Sequence, residues 1–225
     1  MMEIGSIEWV RLVQEGASQL GVAVTPSQAE QFARHGQWML AWNRKINLTA
    51  IIDPKAVAIK HFVDAIAPLH HIPDEGHLLD IGTGGGFPGI PLKIMRPRQP
   101  MTLIDSVRKK INFVKHVIRQ MALNNIEALH TRAETLLKAG GQGRYSVIVC
   151  RALADMTVAV ELAAPLLSAS GSIVVYQGRQ GIDDSADPAN CRVVVGGQRF
   201  QHSVISYPLP FLGDSRSVAI LTLET

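Results

Sequence analysis

From Ser6 to Leu69 the apolar residues return every three to four positions, the period of a helix with one buried face. The spacing predicts three helices, Ile7 to Leu20, Ser27 to Trp42 and Lys55 to Leu69. Thr25-Pro26 and Asp53-Pro54 mark two of the starts, each a capping side chain followed by proline at the first helical turn. From His77 the pattern changes to short β-rich runs: HLLDI (77–81), MTLID (101–105), IEALH (126–130), YSVIVC (145–150) and SIVVY (172–176). Helical patterns lie between them near Val107 to Met121, Ala133 to Lys138 and Met156 to Leu167. Alternation of this kind predicts an α/β fold with a parallel sheet and helices on both faces. The polar stretch QGRQGIDDSADPAN (177–190) reads as a loop, and CRVVVGG (191–197), HSVISY (202–207) and SVAILTLE (217–224) read as strands closing the sheet edge. The expected organisation is a helical subdomain over 1–70 and an α/β core over 71–225.

Composition adds bounds. At 225 residues and 47% apolar, the chain can bury one substantial core. No apolar run approaches the roughly 18 residues of a membrane span. The segment MMEIGSIEWVRLVQEG carries acidic residues where a signal peptide would be basic and then apolar. A cytoplasmic location without membrane association is the expectation, and a monomer the expected state. Cys150 and Cys191 form no CxxC pair, so no metal site and no disulfide framework are expected. A net charge of +3 and a pI near 9.0 permit a polyanionic partner without requiring one.

The stretch LLDIGTGGGFPGIPL (78–92) follows the first strand and carries five glycines. Glycine at a strand end permits positive φ and close ligand approach. A dinucleotide fingerprint needs G-x-G-x-x-G, but counting from Gly82 finds Gly84 and then Phe87 at the third place. No Gly-Lys-Ser/Thr triplet is present for a phosphate loop. What remains is Asp80-x-Gly82-x-Gly84, a carboxylate two residues before the first glycine. This suits a ligand with an ammonium end and no phosphate, such as S-adenosylmethionine. Asp105 closes the second strand, where an acid can accept both ribose hydroxyls of an adenosine. Ala133 and Glu134, after the third strand, would face an adenine edge.

Five motifs occur together in order: WNRKINLTAI (42–51), the glycine loop with FPGIPLKI (87–94), LIDSVRKKINFVKHV (103–117), TRAE (131–134) and CRALADM (150–156). In this the chain resembles the RsmG (GidB) family, bacterial methyltransferases of guanine N7 in 16S ribosomal RNA. The resemblance implies a class I, Rossmann-like S-adenosylmethionine-dependent methyltransferase sheet with an N-terminal helical subdomain. It also implies methylation of one guanosine, conventionally numbered 527 in helix 18, on 16S rRNA or the 30S subunit. Carried over, the family's cofactor contacts fall on Gly82, Phe87, Ala133, Glu134 and Arg151. Cys150 stands where the family usually has serine, and Gln177-Gly178-Arg179 where it commonly has Lys-Gly, so Arg179 is a candidate to supply that charge. A small-molecule methyltransferase is the alternative reading.

Guanine N7 has an exposed lone pair, so no general base is required and no catalytic residue is assigned. Asn47 and Asp64 are candidates to lie near the guanine edge. Cys150 could serve a thiolate mechanism on a base carbon, but the preceding residue is Val149, where that class is expected to have proline. RNA phosphates would meet Arg44, Lys45, Lys109 and Lys110, with Arg108, Lys115 and Arg119 on the same helix. Trp38 and Trp42, four apart, read as core anchors.

Overall fold

The structure, a computed structural model, describes residues 2–151, 155–178, 192–195 and 197–224. Two helices open the chain, α1 (Ile7–Gln19) and α2 (Pro26–Ile46): Ser6 caps the first by accepting from the Trp9 N–H, and at the second the expected cap, Thr25, forms a reciprocal capping box with Gln28. α2 ends at Asn47, whose φ of 50° is a left-handed cap. The continuous helix expected from Lys55 to Leu69 is broken up. A short α3 (Pro54–Val57) widens into a π-helical turn at Ala58–Val63, tightens again in α4 (Asp64–Ile66) and ends as a 3-10 turn at Leu69–His71.

Among the described residues the sheet has eight strands in the order β3-β2-β1-β4-β5-β8-β7-β6. The first five, β1 (Leu78–Ile81), β2 (Met101–Asp105), β3 (Ile126–His130), β4 (Tyr145–Arg151) and β5 (Leu167–Gln177), are parallel. The crossovers carry α5 (Gly89–Met95), α6 (Arg108–Gln120), α7 (Ala133–Leu136) and α8 (Met156–Ala163). β1 and β2 are buried at every position, as strands covered on both faces must be. β5 begins at Leu167, where the sequence pattern predicts a helix end, because the chain joins β4 at Tyr145 before a register shift. β6 (Arg192–Val195), β7 (Gln198–Pro208) and β8 (Ser215–Leu223) add an antiparallel meander.

One apolar cluster joins the helical layer to the sheet: Trp9, Phe32 and Phe62 pack with Leu78, Leu103 and Phe113. A second covers the opposite face with Leu79, Ile148, Val160 and Phe200. Strand order reverses between β1 and β4, and the carboxyl ends of such strands are where an open α/β sheet binds ligands.

Candidate functional site

Past the carboxyl ends of β1 and β2 lies a cleft of about 390 Å³. Gly82, Asp105, Ala133 and Glu134 line it, so four of the sequence-expected cofactor residues meet in one place. Ile81, Ile104, Val107 and Leu162 supply apolar walls, and Lys110 and Arg132 add cations.

The loop is shaped from both sides. The Gly82 and Thr83 N–H groups donate to the Ile104 carbonyl at 2.9 and 3.0 Å, continuing the β1–β2 ladder into the turn. Gly82 (φ 75°) and Gly84 (φ 56°) then take left-handed conformations that glycine adopts without a Cβ penalty. The Gly84 N–H donates to Asp105 Oδ2 at 3.0 Å and the Val107 N–H to Oδ1 at 2.7 Å. Asp105 is thereby fixed at the cleft wall, and each carboxylate oxygen keeps a lone pair for a ligand hydroxyl.

Asp80 does something else. Its side chain is fully buried; Oδ2 accepts from the Thr83 hydroxyl at 2.6 Å and the Gly89 N–H at 2.9 Å, and Oδ1 has no hydrogen-bond partner among the described residues. Burial raises its pKa to about 7, against the lowering effect of those two hydrogen bonds. Through Oδ2, Asp80 ties the two ends of the glycine loop together; it is not among the residues lining the cleft.

Phe87 is also an internal residue. Its ring is stacked between His35 (centroids 4.6 Å apart) and His61 (4.7 Å), both buried. His35 Nε2 donates to the Gly85 carbonyl at 2.8 Å, so α2 holds the loop's backbone directly. Burial lowers the pKa of His35 to about 4 and that of His61 to about 3, the latter helped by the Arg151 charge. Neither histidine is legible as a site residue from a sequence in which both read as members of helical apolar faces.

Arg151, at the end of β4, is held by the helical layer and is not among the residues lining this cleft. Its guanidinium pairs with Asp64 Oδ2 at 3.1 Å and donates to the His61 carbonyl at 3.4 Å and, more closely, to the Lys60 carbonyl. The π-helical turn thus presents two carbonyls to the strand end, in keeping with the frequent occurrence of π turns at functional sites. Asp64 Oδ1 accepts from the Tyr207 hydroxyl at 2.8 Å, and Tyr176 donates to the Ala65 carbonyl at 2.7 Å. Asp64 is a buried partner of Arg151.

Of the RNA candidates, Lys109 and Lys45 are exposed, Arg44 is exposed beside a groove at the N-terminus, and Asn47 serves as a helix cap. Lys110 belongs to the cofactor cleft wall instead of the outer surface. Arg179 lies outside the described residues. Cys150 is fully buried, and desolvation pushes its thiol pKa far up, which keeps it protonated and unreactive.

These residues fit S-adenosylmethionine. An acid placed for ribose hydroxyls, apolar faces for a flat base and glycines open to close approach are the groups an adenosyl ligand needs. Residues 28–202 match the family model described as rRNA small subunit methyltransferase G. The chain belongs to this family. Ribosomal RNA small subunit methyltransferase G of Geobacter metallireducens is 40% identical over 211 residues, covering 93% of this chain and 94% of the relative. The protein of that name from Staphylococcus epidermidis is 34% identical over 218 residues, covering 96% and 89%. Among solved structures, a SAM dependent methyltransferase from Aquifex aeolicus superposes with a TM-score of 0.52 at 15% identity, over 76% of this chain and 94% of that one. A predicted O-methyltransferase from Agrobacterium tumefaciens gives 0.52 at 15% identity, over 68% and 76%. At such identities these two likenesses speak to the fold alone. As a member of the rRNA small subunit methyltransferase G family, the protein is an S-adenosylmethionine-dependent rRNA methyltransferase.

Proposed function

We propose that the protein methylates N7 of a single guanosine of 16S rRNA, in helix 18, and that it works in the cytoplasm as a monomer. The observation carrying the choice of acceptor is Cys150. Attack on a base carbon of the pyrimidine-C5 kind needs a thiolate, and the Cys150 thiol at the end of β4 is buried and held protonated. A ring nitrogen with its own lone pair needs neither a nucleophile nor a base.

When bound, S-adenosylmethionine supplies an electrophilic methyl on a sulfonium. The chain's part is to bind and position. Asp105 would hold the ribose, while Ile104, Val107 and Leu162 exclude water from the base. The loop bonded to Asp105, Asp80 and His35 keeps the glycine backbone in one conformation. Fixing donor and acceptor in line converts a bimolecular encounter into an oriented one, the principal source of rate where no proton moves. Among the described residues no helix is long and apolar enough to cross a membrane, and no group of three or more His, Cys, Asp or Glu is placed to hold a metal ion.

The test is methyl transfer from labelled S-adenosylmethionine to 30S subunits lacking the helix 18 methyl group. Borohydride and aniline cleavage then locates any N7-methylguanosine. A single cleavage at the expected guanosine is the predicted result. Incorporation without cleavage would overturn the N7 assignment, and labelling of metabolites in preference to rRNA would overturn the substrate.

A further inference from the structure

α6 carries five cations and no acid between Arg108 and Gln120. One face buries Ile111, Val114 and Val117. The other exposes Arg108, Asn112, Lys115 and Arg119, spaced i, i+4, i+7 and i+11, a stripe about 16 Å long at 1.5 Å per residue. α2 runs antiparallel to it. Trp38 meets His116 at 5.7 Å, and Trp42 meets His116 at 5.3 Å and Phe113 at 5.6 Å. The end of α2 therefore lies toward the start of α6, on the side of the sheet where the cofactor cleft opens.

Between the two helices runs a groove of about 210 Å³ lined by Trp42, Asn112, Lys115, His116 and Arg119. Trp42 is only partly buried, so the ring that closes the core on one side faces the groove on the other. Among the described ion pairs none involves Lys115 or Arg119. Two cations left side by side without a carboxylate raise the local potential and favour an anionic partner. An aromatic surface, an amide with both donor and acceptor, and flanking cations match the three needs of an unpaired nucleotide: stacking, edge hydrogen bonds and phosphate neutralisation. The volume is below the roughly 300 Å³ at which small-molecule sites begin, which favours one base of a longer strand over an enclosed free ligand.

We propose that the α2–α6 groove is a docking subsite for one unpaired nucleotide of the rRNA strand, neighbouring the nucleotide that is methylated. The assignment rests on the reading of rRNA as substrate. Lys110 on the cleft wall and Lys115 in the groove are on one helix, so a strand held in the groove is led across Arg108 and Lys109 toward the cleft.

The experiment compares wild type, the pair Lys115→Gln with Arg119→Gln, and a charge-matched pair on exposed sites elsewhere, Arg11→Gln with Lys138→Gln. Methyl transfer to unmethylated 30S subunits and to naked 16S rRNA is measured at several salt concentrations. The groove pair is expected to raise the RNA KM about tenfold, with the loss in KM and not in kcat, and to lower the salt slope by about two. Its S-adenosylmethionine affinity, measured by calorimetry, is expected to match wild type, which shows that the fold is intact. Trp42→Leu is expected to raise the RNA KM further and Trp42→Phe to restore it, a rescue that core packing alone would not give to KM. Equal KM effects from the groove and control pairs, or an unchanged salt slope in the groove pair, would overturn the subsite. Absence of rRNA methylation by the wild type would instead overturn the substrate reading on which it rests.

Discussion

Asp64 and Arg151 form a buried ion pair, 3.1 Å between carboxylate and guanidinium, that joins the helical layer to the end of a central strand. Each partner is otherwise satisfied: Asp64 by the Tyr207 hydroxyl, Arg151 by the carbonyls of Lys60 and His61. The arginine thus bolts the π-helical turn onto β4, beside the loop that shapes the cofactor cleft. Asp64→Asn removes the countercharge and leaves a largely buried guanidinium. A loss of about 3–5 kcal/mol is expected, the range for breaking one side of a buried pair. Tyr207→Phe removes a neutral donor to a charged acceptor and should cost less, about 1.5–3 kcal/mol. Urea titration of the three proteins checks the order, and a Tyr207→Phe loss equal to that of Asp64→Asn would show that the charge itself contributes little.

Gly89 tests the bracing role of Asp80. A Cβ there would stand 2.7 Å from Asp80 Oδ2 and 2.8 Å from Leu103 Cγ, both buried and neither free to move aside. Gly89→Ala must push Asp80 off the Thr83 hydroxyl and the Gly89 N–H. Overpacking of this kind typically costs about 1–3 kcal/mol. S-adenosylmethionine affinity should fall as well, because the loop loses its second tie. Calorimetry showing a stable variant with wild-type cofactor affinity would refute the bracing role.

The alternation of strands and helices is legible because parallel strands buried on both faces read as continuous apolar runs, and LLDI and MTLID are such runs. The cofactor side is legible for Gly82, Asp105, Ala133 and Glu134, whose places follow from where each strand ends. Side-chain direction is not legible in the same way. Asp80 precedes the glycines at the spacing expected of a ligand acid, and the spacing does not reveal that its Oδ2 also braces the loop through Thr83 and Gly89. Phe87 and Arg151 likewise serve contacts with a helical layer distant in sequence, which no local spacing encodes. The π-helical turn at Ala58–Val63 is hidden for the same reason: its register is met by carbonyl contacts from Arg151, 91 positions from Lys60. Lys110 is separable from Lys109 only once the helix is placed, since one step along α6 turns a side chain from solvent into the cleft.

Asp105 accepts two backbone N–H groups and lines the cleft, so its two roles can be separated. Asp105→Asn keeps the shape but leaves one oxygen where there were two. Either the Gly84 or the Val107 N–H loses its acceptor, and a ribose loses a charged one. Hydrogen bonds to charged groups contribute about 1.5–3 kcal/mol each, so S-adenosylmethionine affinity should drop by about 10- to 100-fold. The rate at saturating cofactor should change little, because the residue binds ribose and takes no part in methyl transfer. A kcat loss larger than the affinity loss, measured under single-turnover conditions, would place Asp105 in the chemical step.

The buried histidines give the glycine loop an acid limit. His35 is neutral in the folded protein, with its pKa lowered to about 4 by burial, while in the unfolded chain it titrates near its ordinary 6.5. Between those values the unfolded state binds the extra proton, so stability rises with pH through the window. The neutral form's full benefit is present above pH 6.5 and is lost as pH falls toward 4. His61, lowered to about 3, acts in the same direction over a slightly wider range. Asp80, raised to about 7, acts oppositely, since its folded form holds a proton that the unfolded chain releases above about pH 4. Comparing His35→Gln with wild type isolates the histidine, because the Asp80 contribution largely cancels in the difference. The expected result is a wild-type stability that falls relative to the variant by about 3 kcal/mol from pH 7 to pH 4, since each tenfold difference in proton affinity between the folded and unfolded chains is worth about 1.36 kcal/mol. Parallel denaturation curves across that interval would mean that His35 is charged in the fold, and that its contact with the Gly85 carbonyl is made by an imidazolium.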